Sequence, residues 1–277
     1  MKHLLGIMQG RVFPEMLDKL QIFPVSFWKE EMIKIKDIGF DYAELLYDKD
    51  LYFEKLFYDT YELNTFIHKE YNNVPMVRSI CFDYLSSLSL IQRATEALFY
   101  EKLVKLIKRV RGSTVDRIII PFFDANTVTS PESFQSVLAW MERYELDKIA
   151  SENGVVLALE ANLPAGDIRN AFMEHQFNNI KVCYDTGNAR SMGYVPGEEI
   201  IVLNEFICHV HIKDRKVGGP NISLGEGDVD LKNCFLSLKE ISYNDIMILE
   251  TPYMNAPVSE ARKNLRFIYT MLDEISL

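Results

Sequence analysis

Four short apolar runs in the second half of the chain each end on, or next to, a side chain that can bind a metal ion. "VVLAL" is followed by Glu160, "KVCY" by Asp185 and "IMIL" by Glu250, while "CHVHI" carries His211 one residue before its end. Each has an ordinary explanation when taken alone. A glutamate at a strand end usually faces a loop or caps a helix, and a histidine on an apolar strand is usually a hydrogen-bonded core residue. Together they resist that explanation, because three converging carboxylates repel one another unless a proton or a cation intervenes. Three oxygens and one imidazole suit a divalent ion, Mn²⁺ or Mg²⁺ first, with Co²⁺ or Zn²⁺ as alternatives.

The neighbours of these four add candidates. Strand alternation puts His209, His211 and Lys213 on one face and Val210 and Ile212 on the other. His209 is expected one layer deeper than His211, where it orients a ligand or fills the interior. Lys213 and Arg215 are candidates for the hydroxyls or phosphate of a substrate, against the ordinary reading of solvated or ion-paired loop cations. Glu44, taken as the end of an earlier apolar run, is a candidate for a substrate hydroxyl or a partner of Arg11. His3, His68 and His175 are expected near the surface.

Eight apolar runs are available to position these groups, over residues 4–9, 42–47, 76–82, 117–123, 155–161, 181–185, 208–212 and 246–250. They are nearly continuous in Val, Ile and Leu, as parallel strands covered on both faces are. Amphipathic stretches lie between them. Residues 26–39 read as a helix from an N-cap at Ser26 to Gly39; residues 130–154 read as one from Ser130–Pro131 to Gly154, and residues 260–275 close the chain. Trp28 and Trp140 fall in these helices and read as outer-layer packing. Strands alternating with helices predict a single (β/α)₈ TIM barrel over 1–277, with its active site at the C-terminal ends of the strands. A doubly wound open sheet is the alternative, but no Gly-x-Gly-x-x-Gly follows the first strand.

The 277 residues are 48% hydrophobic and 25% charged, the balance of a globular chain with ample core. A net charge of −10 argues against a nucleic-acid surface, which needs clustered Lys and Arg. Cys81, Cys183, Cys208 and Cys234 form no C-x-x-C pair and read as buried reduced thiols. The opening "MKHLLGIMQGRVFP" is too short and too polar for a secretion signal, and no run reaches membrane-spanning length. A cytoplasmic protein with no membrane partner is expected.

Over "GIMQGR", "GFDYAEL", "IIIPFFD", "LALEANLP", "YDTGNARSMGY", "HVHIKDR", "GGPNISLGEGDVDL" and "ILETPY" the chain resembles the xylose-isomerase-like TIM-barrel superfamily of sugar-phosphate isomerases and epimerases, which also contains endonuclease IV. The likeness covers nearly the whole chain and is most specific over 155–250. It implies that Glu160, Asp185, His211 and Glu250 correspond to the metal ligands of ketose 3-epimerases. It further implies that Glu160 and Glu250 are catalytic, removing and returning the C3 proton from opposite faces of a metal-chelated ketose, with Asp185 and His211 as ligands only. Tagatose and psicose epimerases place a His three residues after the metal Asp and an Arg six after the metal His; here those positions hold Asn188 and Val217. The "D-x-G-N" form with "HIKD" and "GEGDVD" is closer to L-ribulose or L-xylulose 5-phosphate 3-epimerases. Asn188 therefore joins Lys213, Arg215, Glu44 and His209 as an expected substrate-binding residue, and Glu226 is expected to order its glycine-rich loop. Aldose–ketose isomerases and inosose-type dehydratases share the enediolate chemistry and stand as alternatives. An endonuclease would need zinc-binding histidines that this chain lacks, and retention of both glutamates weighs against a non-catalytic sugar-binding barrel. The expected partner is a small sugar or sugar phosphate, and the resemblance also implies a homo-oligomer.

Overall fold

Barrel strands form where the eight apolar runs fall. The computed structural model describes residues 5–13, 23–60, 62–68, 73–84, 93–123, 127–252 and 256–275. Strands β1 (Leu5–Met8), β2 (Tyr42–Leu46), β3 (Met76–Cys81), β4 (Arg117–Pro121), β5 (Val156–Glu160), β6 (Ile180–Asp185) and β7 (Ile207–Ile212) match the expected runs to within two residues. Two short strands, β8 (Asp214–Arg215) and β9 (Asn221–Ile222), form an antiparallel hairpin before the last barrel strand, β10 (Met247–Leu249). The eight barrel strands close in the order β1-β2-β3-β4-β5-β6-β7-β10, every pair parallel. The expected TIM barrel is therefore the fold.

Alternation divides each strand between two mostly apolar environments, which is why the runs are nearly continuous in apolar residues. Met8, Leu46, Cys81, Ile119, Cys183 and Ile248 pack in one cluster inside the barrel, and a larger cluster lies between the strands and the surrounding helices. Trp28 meets Phe66 edge to face, and the Trp140 Nε1–H donates to Glu96, so both indoles pack in the outer layer as expected. All four cysteines are free and buried. Among the described residues no helix is long and apolar enough to cross a membrane. His68 is exposed and His175 partly exposed, while His3 lies outside the described residues.

Two helix expectations need correction. The first helix spans Trp28–Ile38, and Ser26 does not cap it; a turn in which the Phe27 N–H donates to the Pro24 carbonyl carries the chain past Ser26. Residues 130–154 form two helices, Pro131–Arg143 and Leu146–Asn153, broken where Glu145 adopts φ 52°. No glycine or proline marks that break, so the apolar pattern runs through it unchanged. The other signals hold: Ser130 makes a reciprocal capping box with Ser133, and Gly39 and Gly154 end their helices in the left-handed region.

Candidate metal centre

Strand register brings the four expected ligands to one level. Asp185 is paired with His211 across β6 and β7, and His211 with Ile248 across β7 and β10. Glu250 follows two residues later, its N–H donating to the Ile212 carbonyl, and Glu160 ends β5. His211 Nδ1 lies 3.2 Å from Glu250 Oε2, 3.6 Å from Glu160 Oε2 and 4.0 Å from Asp185 Oδ2. One donor atom from each of the four lies within 4.8 Å of the others, and all four residues are buried.

Each ligand is held by its own supports. Asp185 caps the helix Thr186–Ser191, its Oδ1 accepting the Asn188 N–H at 2.7 Å. The Thr186 hydroxyl donates to the Lys213 carbonyl and accepts the Lys213 N–H, clipping the end of β6 to the end of β7. The Asn188 side chain donates to Glu160 Oε1 at 3.0 Å while its Oδ1 accepts from Arg215 Nη1 at 2.9 Å. Nε and Nη2 of Arg215 both donate to the Gly219 carbonyl. Arg215 thereby fixes which end of the Asn188 amide faces Glu160, and both residues also border the cavity above the cluster.

Beneath the cluster, Glu44 Oε1 accepts from His211 Nε2 at 3.0 Å, and Glu44 Oε2 lies 3.0 Å from His209 Nε2. All three residues have no exposed surface. This corrects the placement of Glu44 and His209 among substrate-binding residues. Strand β2 runs on to Leu46, so Glu44 points inward two residues below the rim and binds imidazoles, not a hydroxyl or Arg11. That contact commits His211 Nε2 and leaves Nδ1 to face the carboxylates. Burial alone would raise the Glu44 carboxyl, but the charges of His211 and His209 outweigh it and bring the pKa down to about 2.

Lys213 is the largest departure from expectation. Its ammonium lies 2.8 Å from Asp185 Oδ2 and 3.0 Å from Glu250 Oε2, inside the carboxylate cluster. Glu250 has a second cation, Arg11, with Nη2 3.7 Å from its Oε1. Arg11 sits just past β1 and is 5% exposed; the sequence singled it out only as a partner for Glu44. The two glutamates feel opposite environments. Burial pushes the Glu160 carboxyl up to about 8, opposed by His211, whereas Lys213, His211 and Arg11 together overcome burial and hold Glu250 low.

The loop expected to depend on Glu226 is ordered by Asp214 instead. Asp214 carboxylate oxygens accept the N–H groups of Gly225, Gly227 and Val229. A Cβ on Gly227 would lie 1.9 Å from Asp214 Oδ1, so only glycine fits there. The Glu226 side chain is 64% exposed and, among the described residues, pairs with Lys263 at 3.9 Å. Above the cluster opens a cavity of about 300 Å³ bordered by Glu160, Asn188, Lys213, Arg215 and Glu250, with Lys49, Asp83 and Asn221 on its far walls.

The donor set fits a divalent cation. Three carboxylates and an imidazole converge, His211 Nδ1 is buried without a hydrogen-bond partner, and its other nitrogen is committed to Glu44. Against known proteins, a family model described as xylose isomerase-like TIM barrel matches residues 33–271. Curated protein sequences yield no match. Among solved structures, the IolI protein with a bound zinc atom superposes with a TM-score of 0.75 at 15% identity, covering 98% of each chain. An L-ribulose 3-epimerase gives 0.74 at 18% identity, covering 98% of this chain and 95% of its own. D-psicose 3-epimerase from Clostridium cellulolyticum H10, solved with D-tagatose, gives 0.73 at 18% identity, covering 97% and 99%.

Proposed function

Because the chain belongs to the xylose isomerase-like TIM-barrel family, we propose that it is a sugar isomerase or epimerase, specifically a 3-epimerase of a ketose or ketose phosphate. The observation that carries this reading is the pair Glu160 and Glu250. Both border one cavity, both face His211 Nδ1, and each is anchored by different protein donors. Two such groups suit inversion of a carbon next to a carbonyl, one taking a proton and the other returning one on the opposite side.

Glu160, Asp185, His211 and Glu250 would hold a divalent ion, Mn²⁺ or Mg²⁺ by donor type, with Co²⁺ or Zn²⁺ as alternatives. Such an ion supplies Lewis acidity next to the reacting carbonyl when bound. The rest is done by the chain. Arg11, with Nη2 3.7 Å from Glu250 Oε1, keeps Glu250 ionised and ready to accept the C3 proton. Asn188, oriented by Arg215, holds Glu160 Oε1 in place for transfer to or from the opposite face. Glu44 and His209 keep His211 from turning.

The test is solvent exchange. Protein loaded with Mn²⁺ is incubated with a panel of ketoses and ketose phosphates in D₂O, and deuterium is located by NMR. Incorporation at C3 is expected. Incorporation at C1 instead would identify an aldose–ketose isomerase, and no incorporation from any sugar, in a protein that binds metal, would sink the proposal.

A further inference from the structure

The ammonium of Lys213 and a divalent ion would draw on the same lone pairs. Lys213 Nζ contacts Asp185 Oδ2 and Glu250 Oε2, and those are the oxygens that face His211 Nδ1 at 4.0 and 3.2 Å. The position is built into the fold. Lys213 is 4% exposed, its backbone is clipped on both sides by Thr186, and its stem crosses Gly187, where a Cβ would lie 2.8 Å from Lys213 Cγ. A buried lysine of this kind needs paired carboxylates. Lys213 and Arg11 between them offset two of the cluster's three carboxylates. The cluster thus has a cationic partner of its own.

We infer that Lys213 is the resident counter-ion of the metal centre. Its ammonium holds Asp185 and Glu250 in position in the metal-free protein and competes with the incoming ion for them. On metal binding it is released toward the cavity that it already borders. The centre is therefore preformed without metal, and the lysine cation is freed from its carboxylates to face the sugar in the loaded protein. This inference rests on the metal-centre reading but not on the identity of the substrate.

Calorimetric titration of Mn²⁺ into metal-stripped wild-type protein and Lys213→Met tests it, together with thermal denaturation of both. Methionine keeps the stem and removes the charge. The variant is expected to bind Mn²⁺ at least ~10-fold more tightly, because the competing cation is gone. Its metal-free Tm should fall and be restored by Mn²⁺. Equal or weaker binding by Lys213→Met, with the wild type binding normally, overturns the counter-ion role alone; no binding by either protein removes the metal centre and this inference with it. Should Lys213→Met not fold even with metal, wild-type protein labelled with ¹⁵N-lysine decides the matter. A slowly exchanging ammonium signal, assigned by its loss in Lys213→Arg, should shift or disappear on saturation with Zn²⁺. A signal unchanged by Zn²⁺ overturns the inference.

Discussion

Glu44→Gln isolates the contribution of a residue that touches neither substrate nor metal. Glu44 has no exposed surface and places one oxygen 3.0 Å from His211 Nε2 and the other 3.0 Å from His209 Nε2. Glutamine keeps the volume but supplies one acceptor and one NH₂ group, so it can satisfy only one of the two imidazoles as an acceptor. The other is left facing a donor in a fully buried site, at a cost of about 1–3 kcal/mol. Losing the anion also makes His211 Nδ1 a poorer donor and frees the ring to take the wrong tautomer. Carboxylates in this position behind a ligand histidine are worth about 10–100-fold in metal affinity, or about 1.4–2.8 kcal/mol. Calorimetric titration of Mn²⁺ into wild type and Glu44→Gln should show a loss in that range, with circular dichroism confirming that the barrel is intact. An affinity within about twofold of wild type would mean that Glu44 does not set the His211 tautomer, and the reading of the cluster from its lower face would be wrong.

Glu250→Gln should abolish C3 exchange altogether; a variant that still exchanges would remove Glu250 from the acid–base pair. Arg215→Met should lower the exchange rate by about 10-fold or more through kcat, because Asn188 loses the partner that orients it toward Glu160. A change confined to KM for phosphorylated sugars would instead make Arg215 a substrate contact. Glu31 is fully buried, accepts the Gly10 N–H and has its pKa raised by that burial from 4.5 to about 7. The folded protein thus holds a proton that the unfolded chain gives up, so stability falls as pH rises from about 4.5 to about 7, by about 3 kcal/mol in total. Urea denaturation should show Glu31→Gln gaining on wild type across that window and no further above it; a pH-independent difference would refute the assignment. Gly227→Ala should cost several kcal/mol, since its Cβ would collide with Asp214 Oδ1, whereas Gly166→Ala, with nothing within 4 Å in a helix, should gain about 0.5–1 kcal/mol.

The barrel was legible because a parallel strand covered on both faces leaves a mostly apolar run, and eight such runs alternate with amphipathic stretches along the chain. The four converging residues were legible for a related reason. In a closed parallel barrel every strand end arrives at the same rim, so polar groups that end consecutive runs must meet. What the pattern could not convey is depth along a strand and direction beyond it. Glu44 reads as a strand end although the run over 42–47 continues past it, and pairing through Leu46 puts it below the rim instead of on it. Helix breaks without glycine or proline are equally silent, as at Glu145.

Lys213 shows the same limit most sharply. Alternation correctly places it on the face of His209 and His211, and chemistry makes it a candidate for the sugar. Whether a flexible four-carbon stem reaches outward to the cavity or folds back onto Asp185 and Glu250 depends on the neighbouring helix Thr186–Ser191, where a Cβ on Gly187 would lie 2.8 Å from Lys213 Cγ. The glycine and the lysine lie 26 positions apart, in a contact no local pattern encodes. A sequence reading therefore finds the charges of such a site more readily than their pairing, and here the pairing decides the chemistry. A cation aimed at the cavity would recognise substrate directly, whereas one seated among the ligands governs first how the metal enters.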